Sequence, residues 1–188
     1  MKASSDVYAL PPPEQLELAT LGYRAAAADL IWAYVLVSQG AHASERRRFD
    51  HGARYFRSII ALDPSFREPY LMMDAILTFG SVRANEADAR ETREMLEIGV
   101  RTRPFDAQLV HQAGAFIAYI APTYIPDAER GEWEVAGARL IARAGELGLR
   151  DISAREAMSG ATLLSRNGQI DAENEKIEKD SSSNKTSV

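Results

Sequence analysis

Residues 52–64 read GARYFRSIIALDP, residues 92–104 read TREMLEIGVRTRP, and residues 137–149 read GARLIARAGELGL. One pattern runs through all three. A small residue (Gly52, Thr92, Gly137) is followed one helical turn later by a large apolar one (Phe56, Leu96, Ile141). A turn further on comes a small or apolar one (Ile59, Gly99, Ala144). Pro64 and Pro104 close the first two copies, and Gly148-Leu149 closes the third. Offsets of four and seven residues lie on one helix face. The small residues let a neighbouring helix approach, and the large one fills the groove between helices. Proline ends a helix because it lacks the N–H and its ring clashes with the preceding turn. Three copies therefore predict successive helix hairpins, an all-α repeat architecture.

Working outward, residues 1–13 read as an extended leader that Pro11-Pro12-Pro13 keeps from coiling. Residues 14–168 read as the helical repeat domain, and 169–188 as a polar tail with too little apolar surface to stay ordered. The first predicted helix starts near Glu14, and its stretch from Leu16 to Gln39 is apolar nearly all round, which points to burial, with a bend near Gly22 and an end at Gly40. Ser44 is the expected cap of the next helix, running to Leu62. Further helices are predicted over 67–79, 86–102, 106–120 (capped by Asp106), 129–147 (ended by Gly148) and 153–166 (capped by Ser153). No stretch alternates with the two-residue period of a strand.

Composition removes several function classes. The net charge is −5 and the pI is near 5.3, unlike the basic surface that phosphate neutralisation requires, so no nucleic-acid partner is expected. The Arg46-Arg47-Arg48 cluster reads as a solvated face. The chain has no cysteine, which excludes disulfides, thiolate metal sites and a cysteine nucleophile. The longest apolar run, Leu30 to Val37, falls far short of the ~20 residues of a membrane span. His42, His51 and His111 show no metal-ligand spacing, and neither a phosphate loop nor a nucleophile-elbow serine is present. The expectation is a protein with no metal, no cofactor and no catalytic set, hence not an enzyme.

The helices that follow the two prolines carry a second signal. After Pro104 come Val110, Ala113-Gly114 and Ile117, and after Pro64 come Tyr70, Met73-Asp74 and Leu77. With the junctions Asp63-Pro64-Ser65-Phe66 and Arg103-Pro104-Phe105-Asp106, this arrangement resembles the tetratricopeptide repeat family. The interval from Pro64 to Pro104 is 40 residues, longer than the ~34 of the standard repeat. The resemblance implies a short right-handed α-solenoid of stacked helix-turn-helix units with a C-terminal capping helix. It also implies a scaffold or assembly adaptor that binds a protein or peptide on the concave face. Carried over in frame, that face would present Glu68, Leu71, Ala75 and Thr78 from one helix, and Gln108, His111, Ala115 and Ala118 or Tyr119 from another. The expected partner-binding set is Glu68, Leu71, Thr78, Gln108, His111 and Tyr119.

Residues 18–32, LATLGYRAAAADLIW, resemble the opening of envelope-associated tetratricopeptide proteins of Gram-negative bacteria. That resemblance implies the bacterial envelope, whereas the chain as written shows no anchor and by itself reads as cytoplasmic. The alternative function is a small helical ligand-binding protein or enzyme with a pocket near Asp29, an acid set among Ala28, Leu30, Ile31 and Trp32. Burial there would raise its pKa.

The repeat frame makes Phe56 and Leu96 equivalent core positions. Phe56→Ala should cost about 3–5 kcal/mol and Leu96→Ala about 2–5, measured by denaturant unfolding. Unchanged midpoints in both variants would show that the frame is misplaced.

Overall fold

The computed structural model describes residues 8, 10–78 and 84–149. The described residues form helices and connecting turns, with no strand. Seven α-helices run in order: α1 (Pro13–Ala19), α2 (Arg24–Glu45), α3 (Gly52–Leu62), α4 (Arg67–Thr78), α5 (Glu86–Thr102), α6 (Ala107–Ala115) and α7 (Asp127–Glu146). A π-helical turn (Phe116–Ile120) and a 3-10 turn (Ala121–Thr123) extend α6. The helix expected over 153–166 and the polar tail lie outside the described residues.

Neighbouring helices pack in sequence: α2 against α3, α4 against α5, and α6 against α7. Next-but-one helices also touch, α3 with α5 and α4 with α6. Hydrogen bonds show the register. Arg48 reaches Asp88, Arg57 reaches Glu91 and Glu94, Arg67 reaches Asp106 and Gln108, and Arg90 reaches Glu129. Arg103 donates to the Ser65 carbonyl, and Arg143 to that of Pro104. Partners in these pairs stand 34 to 41 residues apart, bracketing the interval between the two prolines. Residue numbers rise together on both sides, so α3 and α5, and likewise α4 and α6, point the same way.

The repeated small–large–small face is the core. Phe56, Leu96, Thr92 and Ala144 are fully buried, and Ile59 and Ile141 nearly so. The closest approach lies between α6 and α7. A Cβ placed on Gly137 would stand 2.4 Å from the Ala118 amide nitrogen and 2.6 Å from the Gly114 carbonyl oxygen. One placed on Gly114 would stand 2.8 Å from the Gly137 carbonyl oxygen. These are backbone atoms, so the two helices meet main chain to main chain. At Gly99 the neighbour is the Tyr70 ring, 2.7 Å from an added Cβ. Tyr70 is fully buried, and its hydroxyl donates to the Pro64 carbonyl at 3.0 Å.

The helix ends follow local chemistry. Asp106 caps α6 by accepting from the Leu109 amide, as expected. Asn85 and Asp88 form a reciprocal capping box on α5. Gly148, at φ +89°, turns the chain after α7, and the Leu149 amide donates back to Ala144.

The first helix departs from expectation. It is two helices, broken where Leu21 (φ 49°) and Gly22 (φ 91°) take left-handed backbone. The second runs through Gly40 to Glu45, and Ser44 sits in its last turn, donating to the Ala41 carbonyl, instead of capping α3. A lone mid-helix glycine costs only about 1 kcal/mol, and Ala41 and Ala43 offset it with the best helix propensity. The true end is Arg46, in the left-handed conformation, with the Arg47 amide donating back to His42. Nor is α2 buried all round, as its composition suggested. Ala28, Ile31, Trp32, Val35 and His42 face inward, while Asp29 and Leu30 are exposed.

Gly131 lies on α7 with no described atom within 4 Å of an added Cβ. Gly131→Ala should therefore stabilise by about 0.5–1 kcal/mol, whereas Gly137→Ala should destabilise by about 1–3 kcal/mol or more. Chemical denaturation of the pair checks this, and equal effects would contradict the α6–α7 contact.

Candidate functional site

The six residues expected to bind a partner fall on α4, on α6 and on the π turn that continues α6. Glu68 and Gln108 are exposed at the starts of α4 and α6, and Gln108 is held by the Arg67 guanidinium at 2.6 Å. Leu71 and His111 follow, both half-buried, and Tyr119 is half-buried at the far end. Ala75 and Met72 are exposed beside Leu71. Thr78 is different. It is buried, and its hydroxyl donates to the Asp74 carbonyl of its own helix, so it lies beneath the row.

Arg67 ties the two helices together. Its Nε stands 2.6 Å from Asp106 Oδ2, and Asp106 also caps α6. Burial pushes the Asp106 carboxyl up, but the Arg67 guanidinium, the Leu109 amide and Arg103 outweigh this and hold it below the ordinary value. One carboxylate thus serves as cap and as tether between hairpins.

Further along, Asp74 is buried between α4 and α6. Its Oδ2 accepts from the Gln112 amide at 2.8 Å, and its Oδ1 is buried without a partner. Burial pushes the Asp74 carboxyl above the ordinary value, against the opposing Gln112 hydrogen bond. In the repeat frame Asp74 occupies the place of Gly114, where a small residue was expected. The burial that sequence reasoning sought at Asp29 is found at Asp74 instead.

Asp29 is exposed on α2. An apolar groove of about 280 Å³ nearby is lined by Leu10, Leu30, Ile31, Tyr34 and Tyr55, and offers little polar chemistry. A second cleft, of about 190 Å³, is lined by charged side chains including Arg47, Arg48, Asp50, Asp88 and Glu91. Several of its charges are already paired: Arg48 with Asp88 at 2.6 Å inside the cleft, and Arg47 with Glu45 and Glu91 with Arg57 at its border. Among the described residues no group of three or more His, Asp or Glu side chains could hold a metal ion, and no helix is long and apolar enough to cross a membrane.

Sequence reading missed one surface, the outer face of α2. Tyr23, Leu30 and Val37 are 76, 74 and 75% exposed there. Ala26, Ala33 and Gly40 are exposed between them. The signal was present as a spacing of three and four residues, Tyr23-Ala26-Leu30-Ala33-Val37-Gly40, distinct from the inward set Ala28-Ile31-Trp32-Val35. It was hidden because both faces together read as one buried helix.

No family model, curated protein or solved structure matches the chain.

Asp74 offers a pH test. A carboxyl with a raised folded-state pKa holds its proton more tightly folded than unfolded. Stability therefore falls as pH rises from the ordinary carboxylate value through the raised one, and the penalty is fully present above it. Asp74→Asn keeps an acceptor for Gln112 and removes the buried charge. It should melt above wild type at pH 7, with the gap closing as pH approaches the ordinary carboxylate range. A variant that melts lower at pH 7 would show that the charge is compensated.

Proposed function

We propose that this chain is a protein-interaction scaffold of the tetratricopeptide type. In this reading its hairpins stack as a short right-handed solenoid, and the face made by α4 and α6 holds an extended or helical peptide from a partner protein. The observation that carries the reading is the side-by-side, same-direction placement of α4 and α6, clamped by Arg67 to Asp106 and Gln108. That clamp leaves Glu68, Leu71, Met72, Ala75 and Gln108 along one surface. Such a row has apolar anchors within a polar surround, the composition that peptide recognition uses. The second helices spend their small–large–small face on packing, so they have only their outer sides left to offer.

Panning a displayed library of random peptides against the protein tests the proposal. Enriched peptides should lose at least tenfold in affinity against a Leu71→Glu/Ala75→Glu variant and bind normally to Glu132→Lys on the exposed side of α7. Helical content by circular dichroism should match wild type in both. Enrichment that is indifferent to Leu71 and Ala75, or no enrichment, would remove this face as the binding surface.

A further inference from the structure

Exposed large apolar side chains concentrate on one element. Leu30, Tyr34, Leu36 and Val37 lie on α2, with Tyr23 at its N-cap, Leu21 in the turn before it and Leu18 near the end of α1. Scattered exposed apolar residues need no explanation, but a contiguous patch does. Between residues 25 and 44 the sole Asp, Glu, Lys or Arg is Asp29, in a chain that is 26% charged. A water-facing helix surface that long would ordinarily carry several charges.

The patch has internal order. Tyr23, Leu30 and Val37 recur every seven residues, and Ala26, Ala33 and Gly40 recur every seven on the adjoining row. This is a heptad seam of two rows, one large and one small. Among the described residues nothing lies within 4 Å of a Cβ built on Gly40, and Ala26 and Ala33 are exposed, so no described neighbour needs the small row small.

The arrangement decides what fits against it. Two such helices run in parallel would set large on large (Tyr23, Leu30 and Val37 each facing itself) and small on small. Overfilled layers would then alternate with empty ones, and both faults destabilise. Run antiparallel, the same helices set Tyr23 against Gly40, Ala26 against Val37 and Leu30 against Ala33. Every layer then pairs one large with one small residue. The pattern is its own complement about a point between residues 31 and 32, as a two-fold, isologous contact requires. Asp29 opposes no second acid at its own level, since that level on the other copy is Tyr34. At 1.5 Å per residue the seam is about 26 Å long.

We propose that two copies of this chain associate through the outer face of α2, antiparallel, with Leu30 of each copy against Ala33 of the other. The surface is separate from the α4–α6 face, so the dimer does not depend on the peptide-binding reading.

The absence of cysteine makes the test clean. Full-length protein should sediment as a dimer at micromolar concentration, and Leu30→Glu/Val37→Glu should weaken association at least tenfold. Both positions are exposed, so helical content should stay unchanged. A Tyr23→Cys chain mixed with a Gly40→Cys chain under copper-catalysed air oxidation should yield the mixed disulfide. Tyr23→Cys alone should not cross-link, because antiparallel pairing holds the two copies of that residue about 25 Å apart. A monomer at 100 µM overturns the proposal, and so does a dimer indifferent to the glutamates. Rapid disulfide cross-linking of the Tyr23→Cys chain with itself would mean a parallel pair. A monomer that floats with phosphatidylcholine/phosphatidylglycerol vesicles, and loses this with the glutamates, would assign the face to lipid.

Discussion

The backbone contact between Gly114 and Gly137 is the tightest found at any described glycine. With Cβ positions 2.4–2.8 Å from opposing main-chain atoms, no side chain other than hydrogen fits at either place. Ile141 then packs beside Gly114 and Ala118 beside Gly137, so numbers rise on one helix as they fall on the other, and α6 and α7 are locked antiparallel. The preceding hairpin meets the same demand with other chemistry. Asp74 and Thr92 fill the equivalent positions, and each needs a partner once buried: Gln112 for the carboxylate, and the Asp88 carbonyl for the hydroxyl. Close backbone approach needs no such partners, so the α6–α7 hairpin is the simpler solution and α4–α5 the one that carries an electrostatic cost.

Between hairpins the joints are polar. Arginines reach one hairpin forward to carboxylates or one back to turn carbonyls, at separations that repeat along the chain. Most of these guanidiniums are between a fifth and a half exposed, where an ion pair contributes no more than about 1 kcal/mol. The stabilising energy comes instead from fully buried apolar residues such as Phe56, Leu96, Met73 and Phe116. The arginines act on register: a hairpin slipped by one turn would lose several paired charges at once. Arg93 links both contributions, lying 4.3 Å over the Trp133 ring while pairing with Glu97.

This division leaves two surfaces of opposite character. The α4–α6 face is mixed, with its anchors among hydrogen-bonding groups and its edges held by Arg67. The outer face of α2 is apolar and nearly free of charge. Both follow from the position of each helix in the array. Inner helices are covered on two sides and keep a narrow strip for solvent. The helix α2 is covered on one side by α3, and no described element covers the other.

Much of this was legible in the residues. The small–large–small spacing placed Phe56, Leu96 and Ile141 in the core, the two prolines and Gly148 marked hairpin ends, and Asp106 announced its cap. Each of those signals acts within a few turns of the chain, on sterics or hydrogen bonds to near neighbours. Tertiary structure decided the rest. Whether α2 stops at Gly40 or at Arg46 depends on a balance of about 1 kcal/mol, which packing of His42 against Phe49 tips. Periodicity shows which residues share a face, yet a face becomes core only when a distant segment covers it. That is why Asp29 and Leu30 read as buried and stand in water, while Asp74, at a position where the repeat frame expects a small residue, lies enclosed beside Gln112, 38 residues away.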